Sequence, residues 1–281
     1  MFKKDGLISR FFSSNRYILA LLVVTPLLLY FVFGTTFYSE LDDIGKDDMR
    51  EYDLDENFNE EVLFINEDII NEGRVISRVD PDNREENISD MHQFTFEKSF
   101  FNSLLYLASI SFIVGAVLAS ISWGQMTEDG SIVYVILLKS SRMKAFVETF
   151  SLPLLLILSI SALASFIVTF ETLSQFPDIG FLTVFSYTFS TIFTTLIGGY
   201  IIGVFISLTA RNTFLPIITS LFLAGSLFVF PETSWLLYPI QSFIYNNYFG
   251  LPIKGEAILG IIILGISLTL SYLIFKRGDF Y

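Results

Sequence analysis

Few residues in this sequence could do chemistry, and most of them are carboxylates in one segment. Residues 35–98 hold 20 of the 29 acids against six Lys/Arg, which gives the segment a net charge of −14. Carboxylates are hard oxygen ligands for Ca²⁺, and Asp53, Asp55 and Asn57 imitate the start of an EF-hand loop. Phe58 stands where that loop needs its turn glycine, so the metal motif fails. We therefore expect a solvated acidic surface and no metal site.

The sequence contains no pattern that is typical of catalysis. His92 is the only histidine and there is no cysteine, which excludes two-histidine zinc motifs, thiolate sites and disulfides. The G-x-S-x-G nucleophile pattern is absent, and so is the G-x-x-x-x-G-K-[ST] loop that cradles ATP phosphates. We expect a non-catalytic chain with no cofactor of its own and no nucleic-acid partner.

Six long apolar runs dominate the rest of the chain. A helix needs about 20 apolar residues to cross the hydrocarbon core, and each run is near or above that length with no charge at its centre. The runs are residues 17–33, 100–121, 146–170, 181–208, 214–230 and 257–275. This pattern predicts an all-α polytopic membrane protein with six transmembrane helices.

The Lys/Arg distribution predicts the orientation of these helices. Outside 35–98 there are 11 Lys/Arg, and with six crossings only Lys254 falls on the opposite side from the other ten. Cytoplasmic loops carry the Lys/Arg excess, so we expect both termini inside, residues 35–98 extracytoplasmic, and the chain in the cell membrane. A signal peptide cleaved near Gly34 is the alternative for the first run, although the bulky Phe31 and Phe33 argue against it.

Composition divides the chain into four parts. Residues 1–16 are basic with spaced apolar side chains, which is typical of an amphipathic helix at the cytoplasmic interface. Residues 17–34 are predicted to form the first transmembrane helix and 35–98 the acidic extracytoplasmic domain. Residues 99–281 are predicted to contain the remaining five helices.

The acidic domain is predicted to be a small α/β or β-rich insertion between the first two helices. Residues 61–65 and 74–79 have the composition of short strands, and 94–96 of a possible third. Residues 42–55 are dominated by acids and are predicted to form a loop.

The cytoplasmic connection between the second and third runs has the most informative pattern. Two acids and a glycine precede a short apolar stretch, and bases follow it, an order that complements a helix dipole. The residues that define the pattern are Glu128, Asp129, Gly130, Ser131, Leu137, Leu138 and Arg142. We predict a short amphipathic helix at about 128–141 whose apolar face needs a partner, either lipid or protein.

Polar and small residues inside the runs predict two further features. Gly199 and Gly203 lie one turn apart in the fourth run, which indicates close helix packing. Near the outer end of the second run, polar side chains recur at helical spacing and are candidates for the lining of a pathway. These are Asn102, Ser103, Tyr106 and Ser109.

Taken together, these features resemble the ABC-2 type permeases, the transmembrane subunits of type V ABC transporters. Shared features are an amphipathic start, six helices, a charged short helix after the second, and a broken re-entrant segment, here 231–256, before the sixth. The stretch from Glu128 to Arg142 is similar to the family's acid–Gly–Thr start and closing small-residue–Arg. The chain departs from the family at Lys139, near which the family often has Pro, and at Glu148, near which it often has Lys.

The resemblance implies a coupling helix at about 128–141 that docks on a separate cytoplasmic ABC ATPase subunit, which binds ATP and Mg. It also implies a second permease copy, in a homodimer or heterodimer, with the pathway between the second and fifth helices. The function would be export of an unidentified substrate. The alternatives are an ion-coupled transporter or channel, against which the lack of acids deep in the helices argues, and an anchor or sensor that uses the acidic domain.

Overall fold

The computed structural model of the chain describes residues 16–53, 84–139, 141–177, 179–229 and 255–278. Within these ranges the chain is mostly helical and contains no strand. In chain order the helices are α1 Arg16–Asp53, α2 Arg84–Ala119, the π turn Ser120–Gly124, α3 Gln125–Glu128, α4 Ile132–Leu137, α5 Arg142–Gln175, α6 Phe181–Ala210, α7 Leu215–Val229 and α8 Gly255–Arg277.

Four helices of the described part are long and apolar enough to cross a membrane, which is compatible with a membrane protein. Their apolar windows are Leu22–Ser39, Tyr106–Glu128, Arg142–Gln175 and Phe181–Ala210, and they overlap the first four predicted runs. Helices α7 and α8 lie at the fifth and sixth predicted runs. The length of α5, about 51 Å at 1.5 Å per residue, exceeds the ~30 Å thickness of a hydrocarbon core.

The described flanks of the acidic segment differ from the prediction. Helix α1 continues through the predicted loop as far as Asp53, and the predicted third strand at 94–96 lies inside α2, so both predictions are wrong. A helix is costly to nucleate and cheap to extend, and the apolar runs supply the nucleus on both sides. β-Propensity over three residues is too weak to compete with that extension.

Several predictions fall on residues that the structure does not describe. They are the strands at 61–65 and 74–79, the interfacial helix at 1–16 apart from Arg16, and the re-entrant segment 231–256 apart from Gly255 and Glu256.

The chain divides into two compact units, Thr35–Ser103 and the combination of Met1–Gly34 with Leu104–Tyr281. In the first unit Phe37 is buried, and its ring meets Tyr38 edge to face with centroids 6.1 Å apart.

In the second unit α6 is central and packs against α5, α7 and α8. Helices α2 and α6 approach each other closely where glycines remove side chains. A Cβ atom on Gly199 would lie 2.0 Å from the Phe112 carbonyl oxygen, and one on Gly115 would lie 2.2 Å from that of Leu196. One turn from Gly199, a Cβ on Gly203 would lie 2.6 Å from the Cβ of Ala119. Real Cβ atoms do not approach this closely, so the backbones pack directly, as small residues allow in membrane helices.

Candidate functional site

Helix α2 leads toward the predicted docking segment through the buried π turn Ser120–Gly124. A π turn inserts an extra residue into a helix and is frequent at functional sites. Here it coincides with the buried Trp123, whose indole N–H donates to the hydroxyl of Tyr200 on α6 at 2.8 Å. This bond lets both large side chains be buried with their polar ends paired, and so fixes the end of α2 against α6.

Glu128 ends α3 and fastens it to the turn between α6 and α7. One carboxylate oxygen, Oε2, accepts a bond from the backbone N–H of Thr213 at 3.0 Å and another from the Thr213 hydroxyl. The Ser120 hydroxyl donates to the Thr213 carbonyl from the π turn. Thr213 is therefore held by two side chains, Ser120 and Glu128, that lie about two turns apart along the chain.

The α6–α7 turn that receives Glu128 is itself closed by hydrogen bonds. Arg211 ends α6 in the left-handed conformation with φ of 51°, and the Asn212 side chain accepts the N–H groups of Phe214 and Leu215 at 2.7 and 3.0 Å. A side-chain oxygen that satisfies the N–H groups at a helix start is the usual stabiliser of such a turn. Arg211 and Asn212 therefore form a tight turn between α6 and α7.

Asp129, Gly130 and Ser131 reverse the chain between α3 and α4. Asp129 Oδ1 accepts the N–H of Ser131 at 2.8 Å, which closes a local turn. Gly130 has φ of 73°, a conformation that glycine adopts at little cost. Ser131 occupies the cap position of α4, and its side chain makes no capping bond.

Helix α4 is shorter than the predicted 128–141, since it covers Ile132–Leu137. Ile132 is buried, but Tyr134, Leu137 and Leu138 are 70, 73 and 76% exposed. The connection therefore presents a small apolar surface, which we call the α4 patch and define as Tyr134, Leu137 and Leu138.

Arg142 stands at the start of α5 and contacts α8. Its guanidinium donates to the carbonyl of Lys276 and, at 3.4 Å, to that of Gly278, where α8 ends. Cations and donors at a helix C-terminus satisfy unpaired carbonyls and complement the dipole. Arg142 therefore complements the dipole of α8, whereas the sequence pattern predicted that it would complement the dipole of α4.

Two more contacts hold the exit of the connection. The Ser141 hydroxyl oxygen caps α5 by accepting the N–H of Lys144 at 3.2 Å, and Lys139 forms an ion pair with Glu148. Near these contacts is an aromatic cluster in which the centroid of the Phe146 ring is 5.3 Å from that of Trp123 and 5.5 Å from that of Phe275. The beginning of α5 and the end of α8 therefore meet on a buried aromatic layer.

The predicted pathway residues lie along α2. Ser103 and Ser109 are buried and Tyr106 is half-buried. The Ser103 hydroxyl donates to the carbonyl of Ser99, one turn earlier in its own helix, at 2.7 Å. Asn102 is part of α2, and its side chain lies outside the described residues. The hydroxyls of α6, such as Thr188 and Thr195, also bond to carbonyls of their own helix.

Sequence reasoning missed Thr213, Tyr200 and Glu148 as partners of the connection. Glu128 and Thr213 are separated by 85 positions, and no local pattern links them. Among the residues that the structure describes, no group of three or more His, Cys, Asp or Glu could hold a metal ion. Comparison of the chain with family models, curated proteins and solved structures gave no match.

Proposed function

We propose that this chain is the permease subunit of an ABC-type exporter and that its α4 patch docks on a separate ATPase subunit. The observation that carries the proposal is the α4 patch together with its attachment. Tyr134 and Leu137 are exposed on a helix of six residues and Leu138 directly after it, and the connection that carries this patch is fixed at both ends.

The attachments favour a mechanical role for the connection. Glu128 links its entrance to the α6–α7 turn, and Arg142 links its exit to the end of α8. A force applied to α4 by a partner would therefore reach two further helices directly. An apolar surface that only rested on lipid would not need polar attachments to the ends of other helices.

The proposal is completed by the resemblance to ABC-2 permeases described above. In this assignment the chain crosses the membrane six times with both termini inside and pairs with a second permease copy. ATP and Mg bind to the ATPase subunit. The substrate is unidentified.

The test is co-purification of the tagged full chain from native membranes in mild detergent, with ATPase activity and subunit stoichiometry as readouts. We expect a P-loop ATPase in constant stoichiometry with the wild-type chain. A Leu137→Glu/Leu138→Glu variant should lose at least about 90% of it, because burying two unpaired carboxylates in an apolar interface costs several kcal/mol.

Leu182→Glu is the matched control, since Leu182 is 79% exposed at the start of α6, at the other end of α5. It should retain the ATPase. Equal retention by the α4 variant, or ATP hydrolysis by the purified chain alone, would contradict the proposal.

A further inference from the structure

A groove of about 400 Å³ opens between α5 and α8, outside the contacts of the α4 connection. It is lined on α5 by Phe146, Val147, Phe150, Ser151 and Leu154, and on α8 by Leu268, Thr269 and Tyr272. Val147, Ser151 and Thr269 are exposed, so the groove faces outward from the helix pair.

Most side chains along the groove are hydrocarbon, and three lining residues carry a hydroxyl group: Ser151, Thr269 and Tyr272. The Ser151 hydroxyl donates to the Glu148 carbonyl at 3.0 Å, and the Thr269 hydroxyl donates to the Gly265 carbonyl at 2.8 Å. The Ser151 and Thr269 hydroxyls are therefore satisfied by their own helices. An apolar chain can occupy the groove without leaving these two hydroxyls unpaired.

One end of the groove is basic. The bond from Arg142 to the Lys276 carbonyl brings the start of α5 and the end of α8 together, and Lys144, Lys276 and Arg277 are exposed at that end. Glu148, the acid nearest along α5, is already paired with Lys139. Arg142 donates to the two carbonyls from Nη1, and Lys144, Lys276 and Arg277 are the three exposed cations beside it.

The depth of the groove matches one leaflet. Its α5 residues begin four positions after Arg142 and end twelve after it, which is about 6 to 18 Å along the helix. Half of a hydrocarbon core is about 15 Å thick. An acyl chain whose headgroup lay at the cations would run along the groove within the same leaflet.

We propose that the groove between α5 and α8 binds one acyl chain of an anionic phospholipid, whose phosphate is held by Lys144, Lys276 and Arg277. Basic pockets between transmembrane helices bind anionic headgroups in this way. The site stands independently of the ATPase partner.

The experiment uses the full chain with Trp235→Phe, which leaves Trp123 as the only tryptophan. The Trp123 ring lies 5.3 Å from that of Phe146, which lines the groove. The chain is reconstituted in phosphatidylcholine vesicles that contain acyl-brominated phosphatidylglycerol or, at equal mole fraction, acyl-brominated phosphatidylcholine. We expect brominated phosphatidylglycerol to quench Trp123 fluorescence at lower mole fraction, and Lys144→Gln to weaken this preference about fivefold.

Ser151→Phe and Ser159→Phe form a matched pair that tests the location of the acyl chain, and Arg211→Gln is the control for Lys144→Gln. Ser151→Phe fills the groove and should abolish the quenching, while Ser159→Phe, at an exposed serine two turns further along α5, should preserve it. Arg211→Gln removes a charge at the α6–α7 turn and should leave the lipid preference unchanged.

Equal quenching by the two brominated lipids would overturn the proposal, as would quenching that persists in Ser151→Phe. If Ser151→Cys instead formed a disulfide between two copies of the chain while brominated lipid failed to quench, a second copy would occupy the groove.

Discussion

The two connections at the ends of α5 are held by different kinds of hydrogen bond. The Phe176–Gly180 connection to α6 is short, and in its described residues backbone bonds hold it, from Phe176 N–H to Thr172 at 3.0 Å and from Ile179 N–H to Phe176 at 3.3 Å. The connection between α3 and α5 is held by side chains, with Glu128 on Thr213 and Arg142 on the end of α8.

Near the Phe176–Gly180 end the Tyr30 hydroxyl donates to Glu171, in the last turns of α5, whereas at the other end the long-range bonds hold the connection itself. A backbone turn is sufficient to join two antiparallel helices. Ordering charged side chains against distant backbone groups costs conformational entropy, which is offset only if the geometry is needed. The connection that side chains hold carries the exposed α4 patch. We therefore infer that its contacts with Thr213 and α8 fix the position of this patch.

The largest effect is expected from a variant that disrupts the packing of α2 against α6. In Gly199→Ala the added Cβ would meet the Phe112 carbonyl at 2.0 Å, so α2 and α6 must separate. Overpacking of this kind costs about 1–3 kcal/mol, and a clash with backbone belongs at the upper end. Thermal unfolding in neutral detergent should show the loss.

Gly265→Ala is the control for that variant, because a Cβ on Gly265 meets nothing within 4 Å. It should leave the unfolding temperature unchanged or raise it, since alanine is favoured over glycine in a helix by up to ~1 kcal/mol. Equal stability of the two variants would mean that the α2–α6 contact is looser than the structure indicates.

The sequence predicted the helices better than their contacts. Long apolar runs indicate membrane helices whatever their neighbours are, and Arg211-Asn212 specified its turn through local chemistry. The helical flank that ends at Asp53 was missed because acid-rich composition was interpreted without the adjacent apolar helix that nucleates it. The bonds from Glu128 to Thr213 and from Trp123 to Tyr200 join residues 85 and 77 positions apart, a distance over which no periodicity applies.

A smaller effect should distinguish the attachment of Arg142 from a general effect of charge. Arg142→Glu removes the donors that cap α8 and places a carboxylate beside its carbonyl end, with an expected cost of about 1–2 kcal/mol. Lys144→Glu makes the same charge change in the same first turn of α5, where an acid favours the helix dipole by about 0.3–1 kcal/mol. In neutral detergent the two variants should therefore shift the unfolding temperature in opposite directions. Shifts of the same sign would show that Arg142 acts only through net charge.

The smallest effect concerns Gly130, and it tests whether the reversal into α4 determines the position of the α4 patch. A Cβ on Gly130 would meet nothing within 4 Å, so substitution introduces no clash and only the φ of 73° is at issue. Alanine should cost about 1 kcal/mol in this left-handed conformation, and asparagine less, because its side chain tolerates it. Limited proteolysis of the connection should accordingly rank wild type as most protected, then Gly130→Asn, then Gly130→Ala, while global unfolding changes little. If alanine and asparagine were cleaved equally, the left-handed turn would not be what holds α4, and the contacts of Glu128 and Arg142 would be sufficient to fix the patch.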